Sequence, residues 1–409
     1  MPEAWIIDAL RSPRGRGKKD KGALSQIHPQ RIMAQVLQGL EKRVGFDPGE
    51  VDDVVLGCGS GNGDHAHDIA RMSALDAGWP NTATGVTLNR FCGSGQQAVS
   101  FAAMGIMAGQ QDLVIGGGIE SMSRPAPLHA KGFHANNDHL FAMHPMVPQG
   151  ISADLIATVE GFSREDCDGY AVMSQERAAE AIGDGRFDDS IIPIHDEEGN
   201  LALERDEHPR PGTTLESLSS LPASFEKMGS AEVDGYPKTF DAVCKDVYPE
   251  IDAVRHVHHA GNSSGVVDGG GAVLLAAPDY AKAHGMKPRA KIVMTATAGT
   301  EPVIMLTAPV PAAENCLRRA GMDWKDIDLF EVNEAFASVV LKFIKDSGVG
   351  VDRLNVNGGA IALGHPIGAT GAMLIGTILD ELERRDLQTG LVAMCTGGGM
   401  GTATIIERV

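Results

Sequence analysis

Thr84-Gly85-Val86-Thr87-Leu88-Asn89-Arg90-Phe91-Cys92-Gly93-Ser94-Gly95 is the stretch that decides the fold. Its first five residues are apolar and β-branched and predict a strand. The small residues after it, 96–109, predict a buried helix. A strand feeding a buried helix through a glycine-rich turn is the building unit of a parallel α/β protein. Cys92 occupies that turn. The positive end of the helix dipole there favours thiolate over thiol. Glycines beside it let a substrate approach the backbone closely. The setting is that of a nucleophilic cysteine, with a buried inert cysteine as the competing reading of this stretch alone.

The unit occurs twice. In the first half, 52–57 precedes 89–109, and then comes Gln111-Asp112-Leu113-Val114-Ile115-Gly116-Gly117-Gly118. In the second, 328–333 precedes 355–382, and then comes Gly390-Leu391-Val392-Ala393-Met394-Cys395-Thr396-Gly397-Gly398-Gly399. Each half reads strand, glycine-rich turn with long helix, strand, glycine-rich turn. This is an internal duplication with a period far longer than a solenoid repeat. Packed face to face, the halves would bring both sets of turns to one cleft.

Strands are predicted at 4–9, 54–57, 113–116, 272–276, 292–296, 329–332 and 391–394. Helices are predicted at 31–43, 69–77, 95–108, 166–182, 310–321, 334–347 and 366–385. The stretch 122–265 is less regular and richer in His, Pro, Asp and Glu. It reads as an insertion of the kind that builds binding sites. The domain expectation is an N-terminal half over 1–121, completed by about 266–287, an inserted loop domain over 122–265 and a C-terminal half over 288–409.

A chain of 409 residues, 43% hydrophobic and 22% charged, is long enough for a large core. A net charge of −19 argues against a nucleic-acid partner and against an anionic membrane surface. None of the six cysteines forms a Cys-x-x-Cys pair, and sparse cysteines suit a reducing cytosol. No basic-then-apolar leader opens the chain and no uncharged apolar run reaches membrane-spanning length. The expectation is a cytoplasmic protein without membrane insertion.

Three further segments carry chemistry. In Gly364-His365-Pro366-Ile367-Gly368, proline suits a first helical turn, which would put His365 at a helix start, neutral and able to accept a proton. In Cys395-Thr396-Gly397-Gly398-Gly399, free backbone N–H groups after a strand could bind an oxyanion. In Glu331-Val332-Asn333-Glu334-Ala335-Phe336, Asn333 would cap a helix or position a water or carbonyl. Two cysteines, a neutral imidazole and a fixed amide suit acyl transfer through a thioester.

With these segments, the chain resembles the thiolases, the acyl-CoA C-acyltransferases, over nearly its whole length. Gly116-Gly117-Gly118-Ile119-Glu120-Ser121-Met122-Ser123 and Ala260-Gly261-Asn262-Ser263-Ser264-Gly265 add to the likeness. The resemblance implies a five-layered αβαβα fold with an inserted loop domain. It implies Cys92 as the acylated nucleophile, His365 as its activator, Cys395 as general acid/base and Asn333 as holder of an oxyanion-hole water. The N–H groups of Cys92 and Gly397 would form a second oxyanion hole, and Ser264, Ala335 and Phe336 would meet the pantetheine arm. It further implies ping-pong thiolysis of 3-ketoacyl-CoA or the reverse Claisen condensation, CoA thioesters as substrates with no tightly bound cofactor or metal, and a homodimer or dimer of dimers.

The chain departs from the family pattern in His144-Pro145-Met146-Val147-Pro148-Gln149-Gly150, in a longer stretch between 225 and 259, and in the loop after Ser123. A decarboxylating ketoacyl synthase would have no counterpart of Cys395, and a non-catalytic acyl-CoA carrier would not need both cysteines with His365. Ser263 lies in a Gly-x-Ser-x-Gly run, but Val266-Val267-Asp268-Gly269-Gly270-Gly271 after it is a poor helix start for a hydrolase elbow. His65 and His67, and His256, His258 and His259, lack the partners a metal site needs and read as satisfied or surface histidines.

Overall fold

A computed structural model describes residues 2–124, 133, 137–232 and 238–409. The strands are β1 (Trp5–Arg11), β2 (Gly15–Arg16), β3 (Asp53–Gly57), β4 (Gly85–Leu88), β5 (Leu113–Ser121), β6 (Ile194–His195), β7 (Leu201–Leu203), β8 (Val267–Ala276), β9 (Ala290–Gly299), β10 (Leu329–Val332), β11 (Thr389–Thr396) and β12 (Met400–Arg408). Ten of them form one sheet, in the order β10-β11-β12-β9-β1-β8-β5-β3-β4 with β2 alongside β8. The path changes halves where β1 meets β9, through only Trp5↔Lys291 and Ile6↔Ala290.

The two halves have the same plan. Parallel β3–β5 pairing in the first half matches parallel β10–β11 pairing in the second. Antiparallel β5–β8 matches antiparallel β11–β12. One side-chain device recurs with them. Asp52 Oδ2 accepts from the backbone N–H groups of Asp112 and Leu113 at 2.6 and 3.1 Å. Asp328 Oδ2 accepts from those of Gln388 and Thr389 at 2.9 and 2.8 Å. In each half an aspartate just before one strand thus ties down the start of its parallel neighbour.

Helices sit in three layers. Pro29–Val44 and Ile69–Asp76 cover the outer face of the first half, and Pro309–Ala320 and Ala337–Ser347 that of the second. Ser94–Met107 and Thr370–Arg385 lie between the halves, each touching strands of both. This is the five-layered arrangement. The central pair can approach because each has glycine as its second residue: a Cβ on Gly371 would lie 2.4 Å from the backbone nitrogen of Gln96, and one on Gly95 would lie 2.6 Å from the carbonyl oxygen of Gly368, just before the second helix. Any side chain there would push the helices apart.

Three expectations need correction. Gly116, Gly117 and Gly118 do not form a turn; they lie within β5, paired with Val273, Ala272 and Gly271 of β8. Pro366 is not in the first helical turn, because the helix begins four residues later, at Thr370. Asn333 does not cap a helix: the next one begins at Ala337 after Phe336. Glycine-rich and proline-containing stretches have no side-chain periodicity, so the partner strand or helix decides their state.

The insertion carries the helices Asp138–Met143, Gln149–Glu160, Arg164–Gly183, Leu215–Ser219, Glu226–Gly229 and Phe240–Val247, and the ribbon β6–β7. Fully buried Asp154 ties Gln149–Glu160 to the strap 256–258. It accepts from the N–H groups of Val257 and His258 and from the rings of His256 and His258. His259 meets Asp168 at 2.7 Å, and His65 accepts from the N–H of Ser121. Among the described residues no three His, Cys, Asp or Glu side chains cluster as a metal site requires. The loop after Ser123 lies largely outside the described residues, as do 233–237 of the long 225–259 stretch.

Candidate active site

Cys92 is placed by a turn that side chains hold shut. Phe91 has φ 48°, a left-handed conformation that costs a non-glycine residue energy. Asn89 Oδ1 accepts from the N–H of Phe91 at 2.8 Å. Ser94 Oγ accepts from the N–H of Arg90 at 2.8 Å and donates to the carbonyl of Phe91 at 2.6 Å. Gly93 abuts the end of β11, where a Cβ would lie 2.7 Å from Thr396 Cγ2. The cysteine is therefore pressed against the Cys395-Thr396-Gly397 run.

The Cys92 residue is 4% exposed. Burial pushes its thiol pKa up to about 11; the Gln149 amide and the N–H groups of Gly397 and Cys92 pull the other way, while the Glu120 charge adds to the rise. Burial thus works against the thiolate that the helix start favours. A half-charge of helix dipole, screened at one end, does not offset complete desolvation of a sulfur anion.

Cys395 lies inside β11, paired with Gly401 rather than beyond the strand end. Burial and, after it, the charge of Cys92 hold its thiol far above the usual range. The N–H of Gly397 is directed at the Cys92 sulfur. A Cβ on Gly397 would lie 2.6 Å from Phe133 Cε1, so no side chain fits there.

His365 is 5% exposed and is fixed at three points. Its backbone N–H donates to the carbonyl of Gly265 at 2.8 Å. Its Nδ1 meets Thr370 Oγ1 at 2.6 Å, and its Nε2 lies 3.4 Å from Asn333 Nδ2. The Thr370 hydroxyl has one proton and donates it to the carbonyl of Pro366 at 2.9 Å. It therefore accepts from His365 Nδ1–H, which leaves Nε2 as the unprotonated nitrogen, its lone pair facing Asn333 Nδ2. Burial, aided by the charge of Arg14, holds the imidazole pKa down to about 3. The ring is neutral as expected, but through desolvation and a buried arginine, not through a helix start.

Asn333 leaves β10 with its N–H bonded to the carbonyl of Ala393, two residues before Cys395. Its Oδ1 is buried without a hydrogen-bond partner among the described residues. Ser264 and Ala335 join through Ser264 N–H to the Ala335 carbonyl at 2.9 Å. Ser263 pairs with Phe336, whose ring packs edge-on against Phe225 and His258. This strap runs straight into Gly265, whose carbonyl holds His365.

The structure thus brings Cys92, Gly397 and Cys395 together, and His365 with Asn333. The two groups are joined through β10–β11 and through the touching starts of the central helices. Thr370, Arg14 and Gln149 went unnoticed in the sequence. Only Gln149 carried a signal, lying in the unusual run 144–150.

Comparison with known proteins agrees with this architecture. The thiolase N-terminal domain matches residues 4–237 and the thiolase C-terminal domain residues 286–408. A steroid 3-ketoacyl-CoA thiolase of Mycobacterium tuberculosis is 40% identical across 100% of this chain and 95% of its own. A 3-oxoadipyl-CoA/3-oxo-5,6-dehydrosuberyl-CoA thiolase of Escherichia coli is 39% identical across 100% of both. The crystal structure of an acetyl-CoA acetyltransferase of Bacillus anthracis superposes with a TM-score of 0.84 at 35% identity, covering 100% of this chain and 99% of that one. The chain belongs to the thiolase family.

Proposed function

We propose that this thiolase cleaves 3-ketoacyl-CoA with CoA to a shortened acyl-CoA and acetyl-CoA, and runs the reverse Claisen condensation, by a ping-pong route through acyl-Cys92. In the first half-reaction Nε2 of His365 takes the Cys92 proton as the sulfur attacks the 3-keto carbon. The oxyanion is held by the N–H groups of Cys92 and Gly397. The C2–C3 bond breaks, the acyl group stays on Cys92, and Cys395 gives its proton to C2 of the departing acetyl-CoA enolate. The enolate oxygen is bound by the Nε2–H of His365 and a water on Asn333. In the second half-reaction the CoA thiol returns a proton to Cys395 and attacks the acyl-Cys92 carbonyl. His365 then returns its proton to Cys92.

The observation that carries this reading is the seating of His365: its Nδ1 meets Thr370 Oγ1, whose own proton goes to the Pro366 carbonyl, and this assigns the basic role to Nε2. Ser264, Ala335 and Phe336 would line the pantetheine arm, and no tightly bound cofactor or metal takes part. Steady-state thiolysis across acetoacetyl-, medium-chain and bulky 3-ketoacyl-CoAs tests it. Parallel double-reciprocal lines are expected; intersecting lines would reject the covalent route.

We further take residues 1–121 with 266–287, and 288–409, as the two duplicated halves, with 122–265 as the substrate-binding insertion. A homodimer or dimer of dimers is supported by the edge strand β4 with exposed Val86, and by exposed Phe101 and Met104 on the helix after it. A cytoplasmic setting is supported by six unpaired, buried cysteines. Among the described residues no helix is long and apolar enough to cross a membrane.

A further inference from the structure

Gln149 is the first residue of the helix Gln149–Glu160, directly after Pro148. The proline fixes the direction in which the helix starts. The helix itself is locked. Ser152 Oγ donates to the carbonyl of Val303 at 2.6 Å, Asp154 is held by two histidines, and Gly150 sits so close to the Phe225 ring that a Cβ would lie 2.3 Å from it. A side chain projected from this start has little freedom. Its amide Nε2 lies 3.9 Å from Cys92 Sγ and 3.5 Å from the Cβ that a side chain at 397 would carry.

The amide therefore stands beside both the reacting sulfur and the α-carbon side of Gly397. Apart from the backbone N–H groups of Gly397 and Cys92, the other groups acting on that sulfur are unhelpful to an anion. Glu120 from β5 opposes it, and Cys395 from β11 is a thiol whose own ionisation would compete. His365 is neutral until it receives the proton.

We propose that Gln149 is a further catalytic residue, a neutral donor whose Nε2–H bonds to Cys92 Sγ and stabilises its charge as the proton leaves. This rests on the acyl-Cys92 reading above. The same bond serves both half-reactions, because the sulfur is nucleophile in the first and leaving group in the second. It weakens once the sulfur is acylated, so it favours the charged sulfur over the thioester, as a transition-state contact should. A length of 3.9 Å is long for the resting thiol and shortens as charge develops. No proton moves to or from the amide, and the Cys92 proton still goes to His365.

The test uses the full chain with Gln149→Leu, and with Gln149→Glu, which keeps the size and replaces the donor by a carboxylate. Iodoacetamide labelling of Cys92, with peptide mapping across pH, reads the thiolate population. Thiolysis of acetoacetyl-CoA reads the rate. Gln149→Leu is expected to lower the labelling rate about tenfold at each pH below the midpoint, the equivalent of about one pH unit. kcat should fall by roughly the same factor near neutrality, recover towards alkaline pH, and leave KM for CoA little changed. Gln149→Glu should lower labelling further. If Leu does not yield folded protein, the Glu variant carries the comparison. Variants with wild-type thermal stability and a wild-type labelling profile overturn the role of Gln149 while Cys92 still acylates. Failure of acetyl-CoA to acylate or shield Cys92 in the wild type overturns the thiolase mechanism itself, and this inference with it.

Discussion

Asn333 and His365 meet side chain to side chain, Nδ2 to Nε2 at 3.4 Å. The contact joins the end of β10 to the segment before the second central helix. It leaves the other amide atom, Oδ1, buried and without a partner among the described residues, where it can accept from a water. Asn333→Ala should therefore weaken stabilisation of the enolate and leave acylation chemistry at Cys92 intact. A fall in condensation and thiolysis kcat on the order of 10²-fold is expected. Acetyl transfer from acetyl-CoA to Cys92 should be less affected.

Thr370 decides which imidazole nitrogen is basic. Thr370→Val keeps the shape and removes the acceptor for Nδ1–H. The imidazole then loses its fixed tautomer, and kcat should drop by about 10²-fold or more. Steady-state kinetics with a thermal melt separates this from unfolding. Wild-type turnover in a folded variant would contradict the assignment.

Burial disfavours charge on Cys92 and on His365 alike. One is pushed up to about 11 and the other held down to about 3, both first by burial. A thiolate–imidazolium pair would label at a constant rate down to acid pH. A neutral pair predicts labelling of free enzyme that climbs about tenfold per pH unit through neutrality. A plateau extending below neutral pH would contradict it.

His256 supplies a pH-dependent part of the stability. Burial lowers its pKa, but hydrogen bonds and charge from Asp154 and Asp241 outweigh that and raise it to about 9. A folded-state value above the unfolded ~6.5 binds protons more tightly in the native protein. Its contribution is complete below pH ~6.5 and is lost as pH rises through about 9. Urea denaturation at pH values of about 6.5 and about 9.5 should show that loss, and His256→Gln should flatten it. An unchanged slope in the variant would assign the effect elsewhere.

Glu334 is a buried carboxyl that accepts from Tyr170 Oη, Ser174 Oγ, Asn355 Nδ2 and the N–H of Ile361. It ties Asn333 to the turn that precedes His365. Glu334→Ala strands several donors and should cost about 3 kcal/mol or more in denaturant unfolding.

The sequence was legible wherever side-chain pattern is strong. The run 84–109 and its counterpart around 365 and 395 were readable because strands and small-residue helices leave a periodic trace. The paired roles of Asp52 and Asp328 were not, since side-chain bonds to a neighbouring strand depend on register. β12 was missed: Met400–Arg408 mixes glycine, threonine and charge, and its pairing with β9 and β11 makes it a strand. Cys92, His365, Cys395, Asn333 and Gly397 could be named from motifs. Gln149, Thr370 and Arg14 could not, because they act through distances that only folding creates.

The most direct test of the covalent account is mass spectrometry of the protein mixed with acetyl-CoA and quenched in acid. The account predicts one added acetyl group, mapped to the peptide bearing Cys92, removed by free CoA and absent in Cys92→Ala. An acetyl group on another residue, or full turnover by Cys92→Ala, would contradict it.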